Sequence, residues 1–103
     1  MSKLNALIAG STGYIGVQLI KLLIKHNNVN IKYLCGKTSV GKKISVYDNS
    51  LRSKNLPKIV KFNKRYLKDI DVVFTALPNG EAQEISKHLL KKNTLIDLAA
   101  DFR

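Results

Sequence analysis

Acidic residues are scarce in this chain: 7 Asp and Glu stand against 18 Lys and Arg in 103 residues, for a formal charge of +11. The cations are spread over every segment, and no RNP, helix-turn-helix or zinc pattern accompanies them, so nothing gathers them into a nucleic-acid interface. They read as solvated surface whose positive, salt-sensitive field favours small anionic ligands. Cysteine occurs once, at position 35. That excludes an internal disulfide and a multi-thiolate zinc site, leaves no metal site to expect, and suits a reducing cytoplasm. No apolar run approaches the roughly 18 residues a membrane-spanning helix requires. Met1-Ser2-Lys3 leads into an apolar strand with no small-residue cleavage site, so neither a signal peptide nor a membrane anchor is expected.

Against these absences stands one dense feature, Gly10-Ser11-Thr12-Gly13-Tyr14-Ile15-Gly16. Leu4 to Ala9 before it read as a strand. Ile15, Leu19, Ile20, Leu22, Leu23 and Ile24 after it crowd one face of a helix at the 3.6-residue period. Gly10 lets the chain turn off the strand, Gly13 lets backbone approach a ligand without a Cβ between them, and Gly16 lets the helix pack close to the sheet. The free N–H groups of the new helix, with the positive end of its dipole behind them, suit an anion such as a dinucleotide pyrophosphate. The spacing is GxxGxxG rather than GxGxxG, and the alternative is a tight turn with no ligand. The strand before, the helix after and the hydroxyls of Ser11 and Thr12 favour the cradle.

His26-Asn27-Asn28 stops the helix, and Val29 to Cys35 alternates as a second, parallel strand would, completing a right-handed βαβ unit. An NAD-preferring site places Asp or Glu at the end of this strand for the ribose 2′-OH. Here the sequence reads Cys35-Gly36-Lys37-Thr38-Ser39, with no acid until Asp48. A 2′-phosphate would meet hydroxyls and an ammonium, so NADP is the expected cofactor; the alternative is that Lys37 simply faces solvent. Gly36-Lys37-Thr38 also looks like the end of a nucleotide-triphosphate loop, but that motif needs glycine where Ile31 stands. Cys35 is a strand-end thiol rather than a nucleophile, since His26 and His88 lie in other segments.

Residues 40–58 are polar and broken by Gly41, Asp48-Asn49-Ser50 and Pro57, an excursion with at most short regular pieces. Lys58 to Phe62 read as a short strand and Lys64 to Lys68 as a helical turn. Asp71 to Leu77 is a buried parallel strand, ended by Pro78-Asn79-Gly80. Glu81 to Lys92 is a helix with Ala82, Ile85, Leu89 and Leu90 as its stripe and an acid in its first turn. Leu95 to Ala99 is the last strand. The alternation implies an α/β, Rossmann-like doubly wound parallel sheet with ligand loops at the carboxyl ends of the strands. Loops 10–16, 35–39, 76–80 and 99–103 are expected to converge. At 103 residues this is one domain at most, residues 1–103, shorter than most complete dinucleotide enzymes and expected to be a piece of one.

Three stretches together resemble the N-terminal, NADP-binding part of the N-acetyl-gamma-glutamyl-phosphate reductases of arginine biosynthesis, in the semialdehyde dehydrogenase family. They are residues 10–16, then Val72-Val73-Phe74-Thr75-Ala76-Leu77-Pro78-Asn79-Gly80, and finally Ile96-Asp97-Leu98-Ala99-Ala100-Asp101-Phe102-Arg103. The resemblance spans the chain and is most specific in its last stretch. Asn79 departs from a histidine common in that family, and Ala99 from a serine. The resemblance implies reduction of an acyl phosphate to a semialdehyde by NADPH through a cysteine thioester, with the cysteine and an assisting histidine in a later domain, so that this chain holds no catalytic residue. It further implies pyrophosphate binding by residues 10–16, a wall beside the nicotinamide from Ala76, Leu77 and Pro78, and a substrate-phosphate contact from Arg103; the alternative for Arg103 is a terminal residue with no fixed place. A homo-oligomeric full-length enzyme is also implied. Related lysine-biosynthesis acyl-phosphate reductases and, more distantly, aspartate-semialdehyde dehydrogenase share these motifs. A free-standing NADP-binding or redox-sensing module is the alternative from outside enzymology.

Overall fold

The apolar runs of the sequence assemble into one five-stranded parallel sheet in the computed structural model, which describes residues 3–26, 28–37, 39–52, 56–77 and 79–98. The strands are β1 (Leu4–Ala9), β2 (Val29–Cys35), β3 (Ile59–Val60), β4 (Val72–Thr75) and β5 (Thr94–Asp97), in the spatial order β3-β2-β1-β4-β5. The two helices are α1 (Tyr14–Leu23) and α2 (Asn79–Ser86). β1 lies at the centre and is covered on both faces, which explains its unbroken apolar run from Ala6 to Ala9. Ile8 packs with Ile20 and Leu34 on one side of the sheet, while Leu7 and Ala9 pack with Leu67, Val73 and Ile85 on the other. The chain steps outward through β2 and β3, then returns to place β4 on the opposite flank of β1. The order of the sheet therefore reverses between β1 and β4.

β1 and β2 keep the bounds expected of them, and the doubly wound parallel architecture holds. The remaining differences are set by the pairing and packing partners of each element. α1 buries Gly16, Val17, Ile20 and Leu23, leaving Leu22 64% exposed. Its sequence is apolar on more than one face, so the buried face is selected by what Gly16 touches. β4 stops at Thr75 rather than Leu77 because its partner runs out: Ala9 pairs with Thr75, and the next residue of β1 is already turning. β3 is reduced to the two residues that pair with Leu34 and Cys35, and β5 ends at Asp97 rather than Ala99, a residue outside the described set.

α2 begins two residues before Glu81 and ends at Ser86 rather than Lys92. Asn93 accounts for the early stop. Its side-chain oxygen accepts from Leu90 N–H at 2.8 Å, and its amide donates to the carbonyls of Ile70 (2.6 Å) and Leu67 (3.2 Å). These bonds draw the chain into a turn tied to the neighbouring 3₁₀ segment Lys64–Asp69, in competition with continued helix.

The excursion 40–58 contains 3₁₀ turns at Ile44–Val46 and Asn49–Leu51, and it does more than connect. Ile44 and Leu51 are buried in the cluster beneath α1. Asp48 accepts from Ser50 N–H at 2.9 Å and pairs with Lys21 of α1 at 2.5 Å. The Lys21 hydrogen bond, followed by those from Ser50, holds the Asp48 carboxyl at about 2. Among the described residues no helix is long and apolar enough to cross a membrane.

Candidate functional site

β1 ends where Gly10 adopts a positive φ of 82°, a conformation that favours glycine. The Gly10 and Ser11 N–H groups both donate to the Cys35 carbonyl, at 3.1 and 3.4 Å, and Ser11 Oγ donates to the same oxygen at 3.2 Å. The turn is thereby pinned to the end of β2, and the buried Ser11 hydroxyl is spent inside the fold. Thr12 lines the open side.

The three glycines then separate by what a side chain would meet. A Cβ on Gly10 would stand 2.6 Å from the Ala76 carbonyl oxygen, and one on Gly16 would stand 2.2 Å from the Gly10 carbonyl oxygen and 2.9 Å from Ser11 Cα. Gly16 thus lets α1 close on the turn itself, a tighter contact than the helix-to-sheet packing expected of it. Among the described residues, a Cβ on Gly13 would meet nothing nearer than Gly10 O at 3.6 Å. Nothing in them demands glycine at 13 on steric grounds, and they leave the space beside it open. Gly13 is the N-cap of α1, with no side-chain cap bond and no acid in the first turn. Tyr14 beside it is 81% exposed and Ile15 is half-buried. The positive end of the helix therefore faces this opening uncompensated.

A cleft of about 580 Å³ lies at the carboxyl ends of the strands. Ala9, Gly10 and Thr12 line it from β1, Cys35, Gly36 and Lys37 from β2, and Leu77 from the end of β4. The contact of Gly10 with Ala76, and the Ala76 N–H to Ala9 O bond at 3.0 Å, bring loops 10–16 and 76–77 together where the strand order reverses. This is the crevice that open α/β sheets use for ligands. Of the other residues singled out from sequence, Thr38, Pro78 and Arg103 lie outside the described residues, as does all of 99–103. Ser39 is buried, and its Oγ has no partner among the described residues; a Cβ on Gly36 would come within 2.5 Å of it. Lys37 reaches the cleft but forms an ion pair with Glu81 of α2.

Sequence reasoning missed Lys61, Phe62, Glu81, Glu84 and Ile85, all of which line the cleft. Lys61 and Phe62 follow β3 directly, so the strand-end rule applied to that short strand would have found them. The α2 residues carry no such signal, because their approach depends on how the helix packs.

Cys35 is 2% exposed, and burial pushes its thiol up to about 12. In the unfolded chain the thiol ionises near its ordinary value of about 9. The neutral buried thiol therefore contributes its full stability below pH 9, and this is lost as pH rises from 9 towards 12, at about 1.4 kcal/mol per pH unit. Thermal melts at pH 8 and 10.5 are expected to show a larger loss of stability for the wild type than for Cys35→Ala. At pH 8, iodoacetamide is expected to label Cys35 only after denaturation.

The family model described as "Semialdehyde dehydrogenase, NAD binding domain" matches residues 5–103. An N-acetyl-gamma-glutamyl-phosphate reductase of Ehrlichia ruminantium (strain Gardel) is 40% identical over 103 residues, covering 98% of this chain and 30% of the relative. The enzyme of that name from Brachyspira hyodysenteriae is 44% identical over 98 residues, covering 93% of this chain and 27% of the relative. This chain thus spans somewhat under a third of the length of these curated relatives. The crystal structure of aspartate semialdehyde dehydrogenase with NADP from Candida albicans superposes with a TM-score of 0.73 at 25% identity, over 98% of this chain and 31% of that one.

Proposed function

The chain belongs to the semialdehyde dehydrogenase NAD-binding-domain family, and from that premise we propose that residues 1–103 are the NADP-binding portion of an N-acetyl-gamma-glutamyl-phosphate reductase. One observation carries the reading: among the described residues Gly13 faces open space at the uncapped N-terminus of α1, beside a cleft at the point where the strand order reverses. The free N–H donors at the start of α1 suit a pyrophosphate. Relatives of that name at 40% and 44% identity favour this reductase over aspartate semialdehyde dehydrogenase at 25%.

Bound NADPH would supply the hydride that converts the acyl group to an aldehyde. The chain's own residues bind and orient. The N–H groups at the start of α1 hold the pyrophosphate, Gly36, Lys37, Thr38 and Ser39 present no carboxylate to repel a 2′-phosphate, and Ala76, Leu77 and Pro78 form the apolar wall of the nicotinamide half. Arg103 takes the phosphate of the acyl-phosphate substrate, for which a guanidinium offers two parallel hydrogen bonds. The nucleophile lies in the remainder of the enzyme, which works as a homo-oligomer in the cytoplasm.

A fluorescence titration tests the cofactor. NADPH is expected to bind at least about tenfold more tightly than NADH, a difference of roughly 1.4 kcal/mol. Equal affinities would end the argument from the loop after β2.

A further inference from the structure

We propose that Lys61, at the carboxyl end of β3, is the residue that recognises the adenosine 2′-phosphate, a role that rests on the dinucleotide reading above. Two described lysines line the cleft, Lys37 and Lys61. Sequence order favours Lys37, which stands in the loop after β2. Its ammonium, however, is already held by Glu81, so a phosphate reaching it must displace a carboxylate. The other acid in the cleft, Glu84, is paired with Lys87 at 3.2 Å along the exposed side of α2. Both cleft carboxylates are therefore answered. Among the described residues, no ion pair engages Lys61, which is exposed.

Its position is set by the sheet. Cys35 pairs with Val60, and Gly36 N–H donates to the Val60 carbonyl at 3.0 Å. Lys61 therefore emerges alongside Gly36, on the same carboxyl edge as the loop that takes the adenosine ribose in this fold. Phe62, the next residue, lines the same cleft and offers an aromatic surface to a purine. A lysine without an ion pair among the described residues and an aromatic residue thus line the same cleft as Gly36, groups that suit a phosphorylated adenosine. The Lys37–Glu81 pair contributes the reverse effect, since Glu81 sets a carboxylate near the incoming phosphate.

The test compares adenosine 2′,5′-bisphosphate with 5′-AMP, which differ only in the 2′-phosphate, by calorimetric titration of the 103-residue chain. Lys61→Met is expected to weaken the bisphosphate about tenfold, the scale of one charge-assisted hydrogen bond, and to leave 5′-AMP within twofold. Lys61→Arg is expected to restore most of the loss. Lys37→Met should cost the bisphosphate less than threefold, and Glu81→Gln should strengthen it while leaving 5′-AMP unchanged. A larger loss from Lys37→Met than from Lys61→Met overturns the assignment, as does a Lys61→Met loss shared equally by both nucleotides. A wild-type chain that binds neither nucleotide overturns the dinucleotide reading itself, and this assignment with it; one that binds both equally overturns the 2′-phosphate assignment alone.

Discussion

Gly16→Ala is expected to destabilise the chain by about 3 kcal/mol or more, a large part of the stability a domain of this size possesses. The new methyl group would lie 2.2 Å from the Gly10 carbonyl oxygen and 2.9 Å from Ser11 Cα. Both are backbone atoms, and neither can turn away as a side-chain tip would. The Gly10 and Ser11 amides are held by the Cys35 carbonyl, so relief requires moving α1 off β1 or breaking the turn from β2. Gly10→Ala should be comparably damaging: a non-glycine residue at φ 82° costs about 1–2 kcal/mol, before the 2.6 Å approach to Ala76 O is counted. Gly13→Ala is expected to behave in the opposite way. Its melting temperature should stay within a few degrees of wild type, while NADPH affinity falls by more than tenfold because the methyl group fills the pyrophosphate's approach. Circular-dichroism melts with a fluorescence titration separate the two effects. A Gly13→Ala chain that binds NADPH normally would show the opening to be an idle turn.

The chain by itself is expected to show no acyl-phosphate-dependent oxidation of NADPH. Its single thiol is Cys35, and with the thiol pushed up to about 12 the reactive thiolate fraction at pH 7 is on the order of 10⁻⁵. Geometry opposes it as well. Cys35 ends β2 while Leu77 follows β4, and β1 lies between those strands. Two interstrand spacings put roughly 10 Å between the strand ends, whereas a nucleophile must come within roughly 3–3.5 Å of the carbonyl it attacks. Turnover by the purified chain, lost on Cys35→Ser, would place the nucleophile in this chain after all.

What could be read from the sequence alone were features whose cause is local. β1 and β2 appear with the expected bounds because strand periodicity and the flanking Gly10, His26 and Gly36 act within a few residues. The parallel α/β architecture follows from the alternation of such runs, and Gly10 was legible because a strand that must turn at once into a helix needs a positive φ. The tertiary structure decided whatever depends on partners distant in sequence. β4 ends where β1 stops pairing, α2 ends where Asn93 bonds to Leu67 and Ile70, and Ile44 and Leu51 of a polar excursion enter the core in one cluster with Val17, Ile20 and Leu23 of α1. At the site, Lys37 lines the cleft but reaches Glu81, 44 positions along the chain, while Lys61, at the end of the weakest strand, stands beside Gly36. Backbone preferences act over a single turn or strand, whereas charge pairing and side-chain packing act through space, and a parallel sheet brings its strand ends together only after every crossover has been made.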